Sequence, residues 1–207
     1  MSSQQASLAE QEKIKHLIAT YPLATIIIQS ENNLQAHHIP MHLVTTSEGN
    51  TVLQGHIARS NPMWQTKPHS ALVLFHGPDT YITPSYYPSK AINGSAVPTW
   101  NYVAVHIQGT IRFVDDAEWC LQTVSRLSDM METSRTQPWS IDDAPEDYLN
   151  QLIQAVIGLE ITLDSCTLKA KVSRNQTTEN RQGVIDGLRA EPVSLHAGAM
   201  ADWVAKN

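Results

Sequence analysis

A continuous strand-and-turn pattern runs from residue 23 to residue 58 and reads LATIIIQSENNLQAHHIPMHLVTTSEGNTVLQGHIA. LATIIIQ at 23–29 is rich in β-branched residues, which is typical of a buried strand. ENN at 31–33 and SEGN at 47–50 are turn sequences, and they separate this strand from LQAHHIPMHL and from TVLQGHIA at 51–58. Three strands joined by two short turns predict an antiparallel meander.

Further strand patterns follow this meander. SALVLFHG at 70–77 and DTYITPS at 79–85 are predicted as two strands, and NYVAVHIQGTIRFV at 101–114 as a long one. A Pro- and Ser-rich loop, YYPSKAINGSAVP, lies before the long strand. LEITLDSCTLKAKVS at 159–173 alternates again and predicts a strand late in the chain. Five or six antiparallel strands before residue 115 are typical of a barrel or sandwich.

Helical patterns surround these strands. Asp115 or Asp116 is expected to cap the second helix, and Pro145 lies near the first turn of the third. The predicted helical segments are 8–20, 115–132, 142–157, 177–190 and 199–206.

The order of these elements predicts the fold class. We expect a mainly β protein with added helices (α+β), folded as one barrel domain over residues 1–207. The N-terminal helix precedes the barrel, a helical insertion lies near 116–157, and C-terminal helices lie near 177–206.

The charge balance argues against nucleic acid as the partner. The chain has 14 Lys and Arg against 20 Asp and Glu, a net charge of -6. A DNA-binding domain needs a concentrated basic face, because counterion release from phosphates supplies much of its affinity. The densest basic stretch here is only Lys169, Lys171 and Arg174. Direct DNA binding is therefore not expected.

The remaining composition predicts a cytoplasmic globular protein. No window approaches about 18 consecutive apolar residues, so no membrane span is expected. The N-terminal sequence MSSQQASLAEQEKIKHLI lacks the pattern of a secretory signal. Without a CxxC motif, Cys120 and Cys166 are expected to be reduced.

The first candidate site segment is AHHIPMH at 36–42. In a strand, His38, Pro40 and His42 would share one face, and His37 would face the other way. Pro40 removes a ladder donor, which favours an edge or bulge that a ligand can approach. Contact with a planar ligand, metal binding and ordinary surface histidines are all open, although the segment lacks the acidic or thiol ligands of a complete metal shell.

The second segment, GHIARSNP at 55–62, predicts a phosphate site. Asn61 is a good N-cap and Pro62 suits the first position of a helix, so a helix N-terminus with free N–H groups would follow Arg59. Arg59 adds a bidentate donor fork. The alternative is an ordinary capped helix with a surface arginine.

The third and fourth segments combine aromatic, amide and cationic groups. YYPSK at 86–90 and VPTWNY at 97–102 would suit a planar ligand with polar edges, or would seal a barrel end. KAKVSRNQ at 169–176 alternates, so Lys169, Lys171, Ser173 and Asn175 would lie on one face of a strand end. That face would contact an anion, or would be a lysine-protected sheet edge.

Motifs for other chemistries are missing from the sequence. It has no GxGxxG, no GxxxxGK[ST], no GxSxG and no HExxH. No nucleophile with a local base can be identified, so no catalytic residue and no metal site are predicted.

Several long motifs resemble one known family. They are YPLAT at 21–25, GHIARSNPMW at 55–64, GPDTYITPSYYPSK at 77–90, VPTWNYVAVHIQG at 97–109, DDAPEDYL at 142–149 and KAKVSRNQTTENRQGVIDGL at 169–188. On these motifs the chain resembles the PaiB-type FMN-binding proteins, a group described as negative transcriptional regulators and related to pyridoxamine-phosphate-oxidase-like split barrels. The N-terminal MSSQQASLAEQ departs from the aromatic-Pro-aromatic opening of that family.

The resemblance implies a homodimeric FMN-binding split β-barrel with two FMN sites at the dimer interface. It implies that Arg59, Ser60 and Asn61 hold the FMN phosphate. His38, Ile39, Pro40 and Met41 would run along the ribityl chain and ring, and Thr99, Trp100 and Asn101 would approach the isoalloxazine edge. Lys90, Lys171 and Ser173 would contact the phosphate or reach from the second subunit.

The function that this resemblance implies is FMN binding. An oxidoreductase that uses a reduced nicotinamide is the leading hypothesis. A transcriptional regulator that acts indirectly or through protein partners is the first alternative, and a haem-binding or haem-degrading split barrel is the second. The substrate is not predicted.

Overall fold

The computed structural model describes residues 7–30, 33–65, 70–94, 96–190 and 194–207. Within these ranges the chain forms six strands and six α-helices. In chain order, strands β1 to β6 are Leu23–Ser30, Asn33–Thr45, Thr51–Ala58, Ser70–Ile82, Thr99–Val114 and Val156–Lys171. Helices α1 to α6 are Leu8–Thr20, Ser89–Asn93, Ala117–Glu132, Glu146–Gln154, Thr178–Ala190 and Ala197–Ala205.

The strands form one antiparallel sheet that closes on itself in the order β1-β2-β3-β6-β5-β4. The predicted meander of β1, β2 and β3 is confirmed, with Leu23 opposite Pro40 and Met41 opposite Gly55. The other edge of β1 pairs with β4, and β3 pairs with β6. Closure leaves neither of these outer edges open, which removes the usual hazard of edge pairing. The first two residues of the predicted turn at 31–33 lie outside the described residues.

Alternation along the strands fills the barrel interior. Successive side chains of a strand point to opposite faces, so every second residue is available for the core. The core side chains are fully or almost fully buried, and they are mostly β-branched. They include Ala24, Ile26, Ile28, Leu53, Ile57, Val73, Phe75, Ile107, Ile111, Ile157, Leu159 and Ile161.

The chain divides into two compact units. The first comprises the described residues of Met1–Phe75 and Val105–Thr167, and the second those of His76–Ala104 and Leu168–Asn207. In the first unit, α1 begins at the N-cap Ser7, whose hydroxyl accepts from the amide of Glu10. The prediction of one domain over the whole chain stays a prediction.

The core of the second unit is built from α5, α6 and the segment around Tyr86. Tyr86 and Tyr87 are 8% and 5% exposed, so both belong to the core and not to a ligand surface. Gly187 of α5 permits this packing, because a Cβ at that position would overlap the ring of Tyr86. Of the aromatic cluster predicted at 86–102, these two tyrosines therefore have a structural role.

The prediction of separate strands at 70–77 and 79–85 is wrong. A single strand, β4, runs from Ser70 to Ile82. Pro78 lies between the two predicted segments, and proline cannot donate to a ladder. The register between β1 and β4 ends at Phe75, however, so the missing N–H of Pro78 does not interrupt that ladder.

Two other boundaries also differ from prediction. The segment 142–157 is not one helix, because Ala144, which precedes Pro145, is extended and ends a short 3-10 turn at Ile141–Asp143. Helix α4 then covers Glu146–Gln154, and β6 begins at Val156 after the C-cap Ala155. The predicted loop at 86–98 contains α2.

The other predicted helices are confirmed within a few residues. Asp116, and not Asp115, caps α3, and its carboxylate accepts from the amide of Trp119. No helix in the described ranges is both long and apolar enough to cross a membrane.

Candidate functional site

The predicted segment His38–Met41 lies on β2 in the first unit and presents only some of its side chains to solvent. His38 and Pro40 are exposed, whereas Ile39 and Met41 are 5% and 0% exposed and fill the core. The Thr25 hydroxyl lies 3.2 Å from His38 Nδ1. A Cβ at Gly55 would lie 2.7 Å from the Pro40 carbonyl oxygen, so glycine allows β3 to approach this segment closely.

His42 alternates with the buried Ile39 and Met41 as His38 and Pro40 do, but unlike those two residues it is not exposed. It is 2% exposed, and neither ring nitrogen has a hydrogen-bond partner among the described residues. Burial, and secondarily the positive charge of Arg126, hold the pKa of His42 below its usual value. Burial and then His38 likewise lower the pKa of His37.

Arg59 follows β3 and is engaged by its own chain. Nη1 and Nη2 donate to the two carboxylate oxygens of Asp115 at 3.0 and 2.6 Å. Nε donates to the carbonyl of Gln154 at 2.7 Å, and Nη2 also donates to the carbonyl of Val156 at 3.3 Å. The guanidinium carbon lies 5.8 Å from the ring centroid of Trp64, which is within cation–π range.

The helix expected after Arg59 is present as a single short turn. Asn61 acts as its cap, because Oδ1 accepts from the amide of Met63 at 3.0 Å. The helix itself is a 3-10 turn of four residues, Pro62–Gln65. One such turn lacks the aligned peptide dipoles of a longer helix, so the helix-end part of the phosphate argument loses its basis. Ser60 is exposed in the preceding turn.

In the second unit, Trp100 is half-exposed yet held in place. Its Nε1 donates to Asp79 Oδ1 at 2.8 Å. Its ring meets Tyr81 edge-on, with the centroids 6.2 Å apart. Trp100, Tyr81 and Tyr102 are 52%, 41% and 44% exposed. These three aromatic residues form a surface, here called the Trp100 face, that offers flat apolar contacts to a ligand or to another chain.

Thr99 and Lys171 form the clearest cationic group of the second unit. Lys171 Nζ donates to Thr99 Oγ1 at 2.6 Å, and the lysine is exposed. An ammonium carries three N–H donors, and this bond uses one of them. The pair, here called the Lys171 face, is therefore a positioned cation that can still bind an anion.

Asn101 and Ser173 are brought together, but as a buried pair. They are 0% and 4% exposed, and Asn101 Nδ2 donates to Ser173 Oγ at 2.9 Å. Asn101 Oδ1 is buried without a partner among the described residues. Ser173 has a φ of 58°, in the left-handed region that favours glycine. Strand β6 ends at Lys171, so the expectation that Ser173 and Asn175 continue its exposed face is wrong.

Strand alternation separates residues that the sequence grouped together. On β5, Trp100 and Tyr102 face one way, and Thr99 and Asn101 face the other. One planar ligand therefore cannot contact the side chains of Thr99, Trp100 and Asn101 from a single chain. Lys90 lies on α2, where its ammonium is 3.3 Å from the Ser85 hydroxyl.

Two carboxylates were missed as partners of the predicted site residues. Asp115 binds Arg59 from 56 positions away in the sequence, and Asp79 fixes the indole of Trp100. No local pattern marks either pairing, because both depend on which strands become neighbours. Within the described ranges, no three His, Cys, Asp or Glu side chains group as metal ligands.

Comparison with known proteins identifies the family. Residues 2–165 match the family described as "Putative FMN-binding domain". The chain belongs to this PaiB-type FMN-binding family. FMN is accordingly the cofactor of this chain, and the resemblance drawn from the sequence motifs is confirmed.

Two relatives show how far the PaiB-type similarity extends. An uncharacterized protein of Emericella nidulans is 33% identical in an alignment of 211 positions, gaps included, that covers 84% of this chain and 84% of that protein. The protease synthase and sporulation protein PAI 2 of Bacillus subtilis is 26% identical over 182 residues, covering 87% of this chain and 84% of that protein.

Solved structures confirm the split-barrel fold. The FAD and heme binding protein of Mycobacterium smegmatis superposes with a TM-score of 0.55 at 17% identity, covering 78% of this chain and 71% of that one. The flavocytochrome Anf3 of Azotobacter vinelandii gives a TM-score of 0.55 at 13% identity, covering 83% and 72%. At these identities the likeness shows the fold alone.

The side chains of this PaiB-type protein fit the chemistry of FMN. FMN combines a planar ring with polar edges and a phosphate, so a site needs apolar or aromatic contacts, hydrogen-bond partners and a cation. In the second unit Trp100 supplies the aromatic contact, Thr99 the hydrogen-bond partner and Lys171 the cation, with Trp100 on the other face of β5 from Thr99.

Proposed function

We propose that this protein is a flavin-dependent oxidoreductase that uses a reduced nicotinamide. Bound FMN supplies hydride acceptance and donation. The observation that carries the proposal is the Lys171 face, where Lys171 is held at 2.6 Å by Thr99 and remains exposed. A fixed positive charge beside a flavin favours the reduced, more negative ring, so it raises the reduction potential.

In this proposal some of the predicted residues contact the flavin, and others only hold those residues in place. Lys171 and Thr99 contact the flavin or its phosphate, and Trp100 offers its ring. Asn101 and Ser173 act through their neighbours, because both are buried and bonded to each other. The exposed side chains of the β2 segment, His38 and Pro40, line the ribityl chain, whereas Ile39 and Met41 contribute backbone only.

The remaining predicted residues are proposed to contact the phosphate. Arg59, Ser60 and Asn61 hold the phosphate, with Arg59 limited by its ion pair to Asp115. Lys90 contacts the phosphate or reaches a second copy.

We also propose that the protein works as a homodimer with both chains contributing to each flavin site. Support comes from β5, which turns Trp100 and Thr99 to opposite faces. A ring that contacts both side chains must then meet them on two copies of the chain. The exposed aromatic residues of the Trp100 face give the second copy an apolar surface to cover.

The first test is an absorption spectrum of the purified protein during titration with FMN, followed by a nicotinamide-oxidation assay. Flavin bands with saturable binding and nicotinamide-dependent bleaching are expected. Bound flavin that a reduced nicotinamide cannot bleach would rule out the oxidoreductase. An intense Soret band would instead favour a haem-binding role, in line with the FAD and heme binding protein of similar fold.

Mixing two variants tests the shared site. Trp100→Ala and Lys171→Ala are expected to bind FMN weakly when each is alone. After exchange of subunits, about half of the dimers are mixed and one of their two sites is intact, so about a quarter of all sites should recover. No recovery would mean that Trp100 and Lys171 act in the same chain or in no common site.

The alternative function is regulation that acts indirectly or through protein partners. The observation in its favour is the 26% identity to a protease synthase and sporulation protein. Retention of partner proteins by the flavin-free form, with loss of that binding when FMN is added, would favour this alternative.

A further inference from the structure

The guanidinium of Arg59 is held by two kinds of acceptor. On one side, Nε and Nη2 donate to the main-chain carbonyls of Gln154 and Val156. On the other side, Nη1 and Nη2 form a parallel fork on the carboxylate of Asp115. The carbonyls fix the plane and direction of the guanidinium, because main-chain atoms of α4 and β6 cannot move away easily. The carboxylate occupies the face that is geometrically suited to a phosphate.

We propose that Asp115 is a built-in competitor for this face, and that the phosphate of a bound phosphate monoester displaces it. This inference rests on the proposed function, because it assigns Arg59 to the phosphate of FMN. While no ligand is bound, Asp115 keeps the guanidinium of Arg59 ordered.

Exposure and charge make the exchange feasible. The side chains of Arg59 and Asp115 are 35% and 58% exposed, so water can solvate the carboxylate as it leaves. Ion pairs at such exposed positions contribute little to stability. A phosphate monoester carries nearly two negative charges at neutral pH and three acceptor oxygens, so it binds the same fork more strongly than one carboxylate.

The exchange leaves the neighbouring helix intact. Asp115 precedes the N-cap of α3, and the capping bond to the amide of Trp119 comes from Asp116. A small cavity beside the fork, lined by Arg59, Asp115, Ala117, Cys120 and Ile153, borders the start of the same helix. Displacement of Asp115 therefore changes the charge before α3 without removing its cap.

The test measures dissociation constants for FMN and for riboflavin, which has the same ring and no phosphate. Asp115→Asn keeps one acceptor oxygen and removes the competing charge. It is expected to tighten FMN binding about three- to fivefold, as suits an exposed pair, and to leave riboflavin unchanged. An unchanged FMN affinity, or an equal gain for riboflavin, would overturn the proposal.

Two controls separate the fork from general charge effects. Glu118→Gln removes the same charge from the first turn of α3 without touching Arg59, since Glu118 contacts Gln122. It should leave FMN affinity unchanged. In an Arg59→Ala background, Asp115→Asn should lose its effect. A gain that persists there, or that Glu118→Gln reproduces, would show that the charge acts on FMN without Arg59.

The proposed function can fail separately from this inference. If the wild-type chain binds neither FMN nor riboflavin, flavin chemistry is excluded whatever Asp115 does. The exchange is then tested with inorganic phosphate alone, which should raise the thermal midpoint of Asp115→Asn more than that of the wild type. Equal shifts in the two proteins would overturn the exchange.

Discussion

Arg59 in the first unit and Lys171 in the second were both predicted to bind an anion, yet their surroundings differ. The guanidinium of Arg59 donates four hydrogen bonds to its own chain, two of them to the carboxylate of Asp115. Lys171 donates one bond, to the neutral hydroxyl of Thr99. A cation beside a carboxylate must exchange one anion for another, whereas a cation beside a hydroxyl can add one.

A cationic residue in a binding motif is therefore not by itself a binding residue. The net gain from a ligand anion is the new interaction minus the one that is lost. For Lys171 little is lost, and for Arg59 a bidentate ion pair is lost. The effects of removing the two cations should therefore differ in size and in kind.

The largest effect is expected for Lys171→Ala. Loss of a charge-assisted contact at an exposed position should weaken FMN binding about tenfold. The matched control is Lys169→Ala, which removes an exposed lysine two residues earlier on β6. Fluorescence titration measures the affinity for FMN and for riboflavin. A loss for FMN alone would place Lys171 at the phosphate, and a loss for both would place it at the ring or ribityl chain. Equal losses of FMN affinity in Lys171→Ala and Lys169→Ala would mean that only the overall positive charge of this surface matters.

Arg59→Ala should weaken FMN binding less, about two- to threefold, because the exchange with Asp115 cancels part of the gain. It should also lower the thermal midpoint by a few degrees, since the bonds to Gln154 and Val156 are lost. Lys171→Ala should leave the midpoint unchanged. If Arg59→Ala affects affinity more than Lys171→Ala does, the comparison between the two cations is reversed.

Substitutions of the buried Ser173, two positions after Lys171, are expected to have a smaller effect on stability. Two of them separate the loss of the hydroxyl from the strain of the backbone. Ser173→Ala and Ser173→Gly both remove the hydroxyl that accepts from Asn101. Only glycine relieves the positive φ of 58°, so Ser173→Ala should be less stable than Ser173→Gly by about 0.5–1 kcal/mol. Chemical denaturation of the two variants measures this difference. The reverse order would show that the left-handed backbone at Ser173 carries no strain.

The smallest effect concerns acid sensitivity in the first unit. The pKa of His42 lies below the ordinary value of 6.5, so below that pH the folded state binds fewer protons than the unfolded chain. The free energy of unfolding therefore falls as the pH decreases through and below 6.5. His42→Leu should flatten this decline, whereas a change of the exposed His16 to Gln should not. Parallel plots of the free energy of unfolding against pH for wild type and His42→Leu would show that His42 does not cause the decline.

Much of the fold could be predicted because its signals are local. The β-branched run at 23–29, the turn at 47–50 and the alternation at 101–114 each depend on neighbouring residues, and all three are confirmed. The predicted ends of strands were less reliable than the strands themselves. Pro78 lies between the strands predicted at 70–77 and 79–85, yet β4 continues through it. Whether a proline ends a strand depends on whether a neighbouring strand needs its N–H, which the local sequence does not contain.

The candidate site could be predicted only as a set of residue types. Thr99, Trp100 and Asn101 are consecutive, and their chemistry suits a planar ligand. Their division between two faces of β5 follows from strand geometry, and the burial of Asn101 follows from its pairing with Ser173. The engagement of Arg59 by Asp115 required that β3 end beside the start of α3.

Most of the strands and helices, the family and, through that family, FMN as the cofactor follow from the sequence alone. Periodicity and long motifs are properties of contiguous residues, so they survive without coordinates. Which polar groups remain available to a ligand is known only from the folded chain. Availability depends on the partners that each donor and acceptor finds in the folded chain, and for Arg59, Trp100 and Asn101 those partners are 56, 21 and 72 positions away.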